Sequence, residues 1–249
     1  MKLLLLNANT TAAMTERMVA IARRLAGPAV AVGGATGRFG ASYISTRAAA
    51  AIAGHAALDL LAEHVGRDNP QGHDAVLLAC FGDPGLLALK ELSPVPVLGM
   101  AEASLGLAAQ LGTRIGLITG GSRWVAMLRE FATLMGHGDR VVAIRATPLT
   151  GAEIAADPAG AAARLRDLAQ RCIDEDHTDV IVFGGAGLVG LAETLQPQLP
   201  VPLLDSLTCL VQAGLSAARL GAAKPGAGSF APPPRTPSIG LSAALDAAL

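Results

Sequence analysis

The sequence predicts an α/β chain of two similar Rossmann-like lobes, each with a parallel sheet, related by a pseudo-twofold. Three observations predict it. Strand candidates such as 74–79 (DAVLLA) and 179–183 (DVIVF) carry consecutive apolar residues, as strands covered on both faces do. These strands alternate with Ala/Leu-rich helical stretches, the βα order of a parallel sheet. A frame also recurs: Asp74 matches Asp179, Cys80 matches Gly185 and Gly82 matches Gly187, each 105 residues apart. Pro94-Val95-Pro96 returns as Pro200-Val201-Pro202, and Lys2 and Thr10 align with Arg114 and Ser122.

Taken in order, residues 2–6 are a strand, and Thr10 or Thr11 can cap a helix over 12–25. A second strand follows at 29–33, a glycine-bearing loop at 36–45 and a helix at 46–66. Strand 74–79 leads to helix 84–92, strand 95–98 and helix 101–111, which Gly112 ends as a C′ glycine. The pattern restarts with strand 114–119, helix 123–135 and strand 141–146. Helix 159–175 starts after Asp157-Pro158. Strand 179–183, helix 189–195, strand 201–204 and helix 206–219 complete it. This order divides the chain into lobe 1 (1–112, with the helix at 206–220 able to join it) and lobe 2 (113–205). The Gly/Pro-rich tail at 221–249 reads as disordered or loosely attached, with a short helix at 239–249.

Composition bounds the function. Of 249 residues, 51% are hydrophobic and only 3% aromatic, so the core is Ala, Leu, Val and Ile. A net charge of −1 with no basic run argues against nucleic acid as a partner. Mean hydropathy is high at +0.46. The apolar runs are nevertheless short and interrupted, well below the roughly 18–20 residues of a spanning helix, so no membrane partner is expected. MKLLLLNANTT has too short an apolar run for a signal segment and reads as a first strand. Cys80, Cys172 and Cys209 form no CxxC, and the five histidines show no metal spacing. A reducing cytoplasm fits, with no metal site expected.

Ligands of open parallel sheets bind beyond the carboxyl ends of the strands. The active site is therefore expected in the cleft between the lobes, with Cys80 and Gly185 on opposite sides. Cys80 ends a strand before Phe81-Gly82-Asp83-Pro84 and a helix, where backbone N–H groups favour a thiolate. A buried structural thiol is the competing reading, and it is the better one for Cys172 and Cys209. Asn9 and Thr10 follow the first strand, Thr119 and Ser122 its repeat; turns of this kind bind carboxylates and also simply cap helices. Asp83 sits beside Cys80 and either tunes it or caps the following helix; the cap is the better reading.

LLLLNANTT, the loop ending SYIS, LLACFGDPGL, PVPVLGMAEAS, RIGLIT and VIVFGGAGL together resemble the Asp/Glu/hydantoin racemase superfamily, in its hydantoin/allantoin racemase branch. The resemblance runs from residue 2 to about 220. It implies a cofactor-independent enzyme that moves a proton at a carbon α to a carboxylate or imide, with a small hydantoin- or amino-acid-like substrate. Members often assemble as homo-oligomers. One cysteine thiolate removes the proton and a second thiol returns one from the opposite face. Cys80 matches the first cysteine. Ile44 of the SYIS loop joins Asn9, Thr10, Thr119 and Ser122 as substrate-binding residues, with the turn N–H groups of Phe81, Gly82, Ala186 and Gly187 cradling the enolate.

The second cysteine is absent. Where the family typically reads GCAG, this chain has Gly184-Gly185-Ala186-Gly187. The loss of one acid/base group costs about 10²–10⁴-fold. The resemblance therefore extends to arylmalonate decarboxylase, which works with one cysteine, although in the second half of its chain. A protein that only binds a small acid is the third reading.

Overall fold

The architecture comes from a computed structural model, which describes residues 1–149, 153–154 and 157–249. The chain divides into two compact units, Met1–Gly99 with Leu210–Leu249, and Met100–Cys209.

The first unit holds β1 (Lys2–Asn7), α1 (Ala12–Ala26), β2 (Ala31–Thr36), α2 (Arg47–His64), β3 (Ala75–Leu78), α3 (Leu86–Leu92) and β4 (Val97–Gly99). Its four strands are parallel in the order β2-β1-β3-β4. β1 and β3 are central. Leu3, Leu5, Leu6 and Ala75–Leu78 are fully buried, which explains their unbroken apolar run. α1 lays Thr15, Met18, Val19 and Ala22 inward, the helical spacing of one buried stripe. α2 starts where Thr46 Oγ1 accepts from Ala49 N at 3.1 Å.

The second unit holds α4 (Met100–Leu111), β5 (Ile115–Gly120), α5 (Trp124–Leu134), β6 (Val141–Thr147), α6 (Pro158–Asp174), β7 (Val180–Gly184), α7 (Leu191–Leu195) and β8 (Leu203–Asp205). The strand order, β6-β5-β7-β8, is that of the first unit. A cluster including Ile118, Leu165, Cys172, Ile181 and Phe183 forms its core. Asp157 caps α6 by accepting from Gly160 N at 2.9 Å, with proline in the first turn. α8 (Ser206–Leu220) and α9 (Ala243–Ala248) complete the helices described.

The repeat holds hydrogen bond by hydrogen bond. Leu3 pairs with Ala75 as Ile115 pairs with Val180, and Val76 with Val97 as Ile181 with Leu203. Lys2 N donates to Asp74 Oδ2 (2.6 Å) and Arg114 N to Asp179 Oδ2 (2.9 Å). In return Asp74 N donates to Lys2 O and Asp179 N to Arg114 O, both at 2.8 Å.

Some local expectations change. The boundary placed at 112 falls at 99/100, because α4 packs on β7 and belongs with the second sheet. Gly112 is not a left-handed cap: its φ is not positive, and a Cβ on it would lie 2.4 Å from Asp179 Cβ. It is glycine to admit Asp179. Thr11 holds the cap position of α1, but its hydroxyl donates to Ser42 O. The tail is anchored rather than loose. Lys224 Nζ donates to the carbonyls of Lys90 and Glu91 at the end of α3. Leu245 and Ala248 of α9 pack on Ala62 of α2, and Arg67 donates to Ala248 O at 3.0 Å.

Candidate functional site

In the first unit the strand ends bring together Asn7–Thr11, the loop through Ile44, and the turn Cys80–Asp83. Asn7 sets the first loop. Its Nδ2 donates to Asn9 Oδ1 and to Thr15 Oγ1, both at 2.9 Å, and Asn9 Oδ1 also accepts from Thr11 N at 2.9 Å. Asn9 is buried and its carbonyl oxygen is committed to the loop, so its Nδ2 is the end with donor capacity, turned toward Met14 Sδ. Thr10 is half-buried and its N–H donates to Ala41 O. Ile44 is buried at 4% exposure.

β3 delivers Cys80 beside this loop, since Ala79 N donates to Leu6 O at 2.9 Å. Cys80 is half-buried. Asp83 N donates to Cys80 O at 2.9 Å and closes a tight turn. Gly82, at φ +106, allows that turn. The N–H groups of Phe81 and Gly82 have no acceptor among the described residues.

The expected activation of Cys80 by a helix N-terminus is overturned. α3 begins at Leu86 behind Gly85, too far along the chain to favour a thiolate at Cys80. Burial of the sulfur, then the Asp83 carboxylate, push the thiol up to about 12. Cys80 is an S–H group at neutral pH. Asp83 is likewise not the cap of α3, whose cap position is Gly85. Asp83 is buried, with left-handed backbone at φ +49.

Tyr43 escaped notice in the sequence. Its phenol is raised above its ordinary value by burial and then by Cys80, which places the two side chains in one electrostatic neighbourhood. The signal that could have found it is that Tyr43 is the chain's one tyrosine.

In the second unit the register sets Thr119 beside Gly184, so Gly185 follows directly. Leu188 N donates to Gly185 O at 2.9 Å, the same turn that Cys80 opens. Gly185 differs in backbone, with φ at +120. A Cβ built there would have one described neighbour within 4 Å, the Thr119 hydroxyl at 4.0 Å. Thr119 is buried and Ser122 exposed. Ala186 and Gly187 are half-buried, and their N–H groups have no acceptor among the described residues. Asp205 ends β8 and spends its carboxylate on Gly190 N (2.6 Å), Leu207 N (2.9 Å) and Thr208 N (3.0 Å).

Cys172 and Cys209 are buried in helices, and burial pushes each thiol up to about 11. Among the described residues no three His, Cys, Asp or Glu side chains cluster as a metal site would require, and no helix is long and apolar enough to cross a membrane.

The family model described as Asp/Glu/hydantoin racemase matches residues 3–214. A hydantoin racemase of Pseudomonas sp. (strain NS671) is 31% identical over 212 residues, covering 85% of this chain and 84% of the relative. The structure of allantoin racemase from Pseudomonas fluorescens superposes with a TM-score of 0.89 at 31% identity, over 96% of this chain and all (100%) of that one. Arylmalonate decarboxylase shares the fold at a TM-score of 0.60 and 19% identity, over 92% and 98% of the two chains.

Proposed function

The chain belongs to the Asp/Glu/hydantoin racemase family, and from that premise we propose that it moves a proton at the carbon α to a carboxylate or imide carbonyl, through Cys80 and without a cofactor. The substrate is a small hydantoin- or amino-acid-like molecule. One observation carries the reading: a half-buried thiol on a strand-end turn, with the adjoining N–H groups of Phe81 and Gly82 unspent. Such N–H groups stabilise the enolate that forms when the α-carbon loses or awaits its proton. The second unit carries a matching set, the N–H groups of Ala186 and Gly187 with Thr119 and Ser122, and in the first unit Thr10 and the Asn9 amide give polar contacts. Ile44 gives an apolar one.

A second reading is favoured by Gly185. The one described group within 4 Å of a Cβ built there, the Thr119 hydroxyl, is no acid or base near neutral pH. Proton delivery then comes from one side only. Loss of carbon dioxide from a malonate-like acid supplies the carbanion, and the Cys80 S–H protonates it.

The test is deuterium incorporation at the α-carbon of each enantiomer of a 5-substituted hydantoin. A two-sided racemase exchanges both and a one-sided enzyme chiefly one. A protein that only binds small acids exchanges neither. Full turnover by Cys80→Ala would overturn the role of Cys80 in either reading.

A further inference from the structure

We propose that the first unit carries a second small-molecule site, a cavity walled in part by the C-terminal tail, which takes a monocarboxylate with an apolar body and holds its carboxylate on Lys224. The proposal does not depend on the reaction assigned to Cys80.

The walls come from three places in that unit. Val95, Val97 and Leu98 supply the start of the edge strand β4, Ala217 the last turn of α8, and Phe230 the tail. Val76 pairs with Val97, and its N–H donates to Pro96 O at 2.9 Å. The cavity therefore lies level with the start of β3, whereas Cys80 lies past its end. Its volume is about 310 Å³, within the roughly 300–1,000 Å³ of small-molecule pockets.

Charge selects the ligand. The two charged residues on the described walls are Lys90 and Lys224, and the rest of the described lining is apolar. Lys224 Nζ donates to the carbonyls of Lys90 and Glu91 in the last turn of α3. Those carbonyls have no partner within the helix, and an ammonium is favoured beside them. An ammonium has three N–H donors. The third has no acceptor among the described residues. Two bonds thus fix Lys224 in place and leave one donor, so an anion meets a preorganised anchor.

Burial holds the Lys224 amine below its ordinary 10.5, while Glu91 pulls the other way. A carboxylate in the cavity offsets that cost of burial. One cationic anchor amid aliphatic and aromatic walls suits a single carboxylate with a hydrocarbon body. A phosphate or a sugar would give up hydrogen bonds to water that these walls do not return.

Titration calorimetry on the full chain tests this with butanoate, hexanoate and octanoate, and with 1-octanol as the uncharged probe. Octanoate should bind one per chain. Affinity should rise about fourfold for each CH₂ group added until the cavity is full. Octanol should bind about tenfold more weakly or worse, the usual worth of a hydrogen bond to a charged group. Lys224→Met keeps the apolar stem and should weaken octanoate by the same factor. Ala217→Phe fills the cavity without touching Lys224 and should abolish binding; it decides the matter should Lys224→Met loosen the tail. Cys80→Ala should bind octanoate as wild type does. Octanoate that fails to bind at millimolar concentration, or that binds Ala217→Phe as tightly as wild type, overturns the proposal. Binding lost in Cys80→Ala also overturns it, by placing the acid at the strand-end turn instead. Failure of the Cys80 reading would appear separately, as α-proton exchange surviving Cys80→Ala.

Discussion

Cys80 and Gly185 open the same hydrogen-bonded turn, each carbonyl accepting at 2.9 Å from the N–H three residues on, yet Gly185 holds φ at +120 and Cys80 does not. The two frames match in register and in turn closure and part company at one residue. Restoring symmetry between them therefore takes more than a side chain.

Gly185→Cys should not produce a two-sided racemase. At φ +120 a side chain is strained, at a cost of about 1–3 kcal/mol. The expected outcome is a lower urea midpoint and deuterium exchange that stays confined chiefly to one enantiomer. Equal exchange of both enantiomers in a variant as stable as wild type would contradict this.

Cys80→Ala should lower α-proton exchange by about 10²–10⁴-fold, the usual worth of one acid/base group. Folding should be little changed, because the residue is only half-buried. Chiral chromatography with deuterium labelling measures the first and circular dichroism the second.

Gly99→Ala should destabilise the first unit. The new methyl would meet Asp83 Oδ2 at 2.1 Å, and the buried carboxylate has to move. Overpacking of this kind costs about 1–3 kcal/mol, measurable as a fall in the urea midpoint. Combining Gly99→Ala with Asp83→Ser should recover part of the loss, since the shorter side chain withdraws from the clash.

Stability should fall as pH drops through the histidine range, and His73 should be one cause. It is 4% exposed, and neither ring nitrogen makes a well-formed hydrogen bond among the described residues. Burial first, then Lys2 and His64, hold its pKa below the ordinary 6.5, while Asp74 and the His64 backbone pull the other way. The folded state keeps a neutral ring where the unfolded chain takes up a proton near pH 6.5. The contribution is present above that pH and is lost below it. Urea unfolding at pH 7.5 and 5.5 should show a smaller acid loss in His73→Gln than in wild type.

The sequence by itself determined the architecture. Unbroken apolar runs in β1, β3, β5 and β7, short and bounded by turn residues, read as strands covered on both faces, and the 105-residue spacing of Asp74/Asp179 and Cys80/Gly185 exposes a duplicated frame. Those signals are local or periodic, so they survive without coordinates. It also singled out Cys80 as the candidate, because a strand-end cysteine before a glycine-bearing turn is itself a local pattern. Its protonation was beyond a one-dimensional reading. The helix that should have favoured a thiolate starts at Leu86, two residues later than expected, and burial, then the Asp83 carboxylate, raise the thiol. Gly99 and Gly112 look like ordinary turn glycines in sequence; the fold makes each a space for an aspartate distant in the chain. The tail shows the same division. Its Gly/Pro composition suggests disorder, whereas Lys224, Leu245 and Ala248 find partners on α2 and α3 that only the packed chain supplies. Charge and fit depend on what lies across space, and tertiary structure alone decides that.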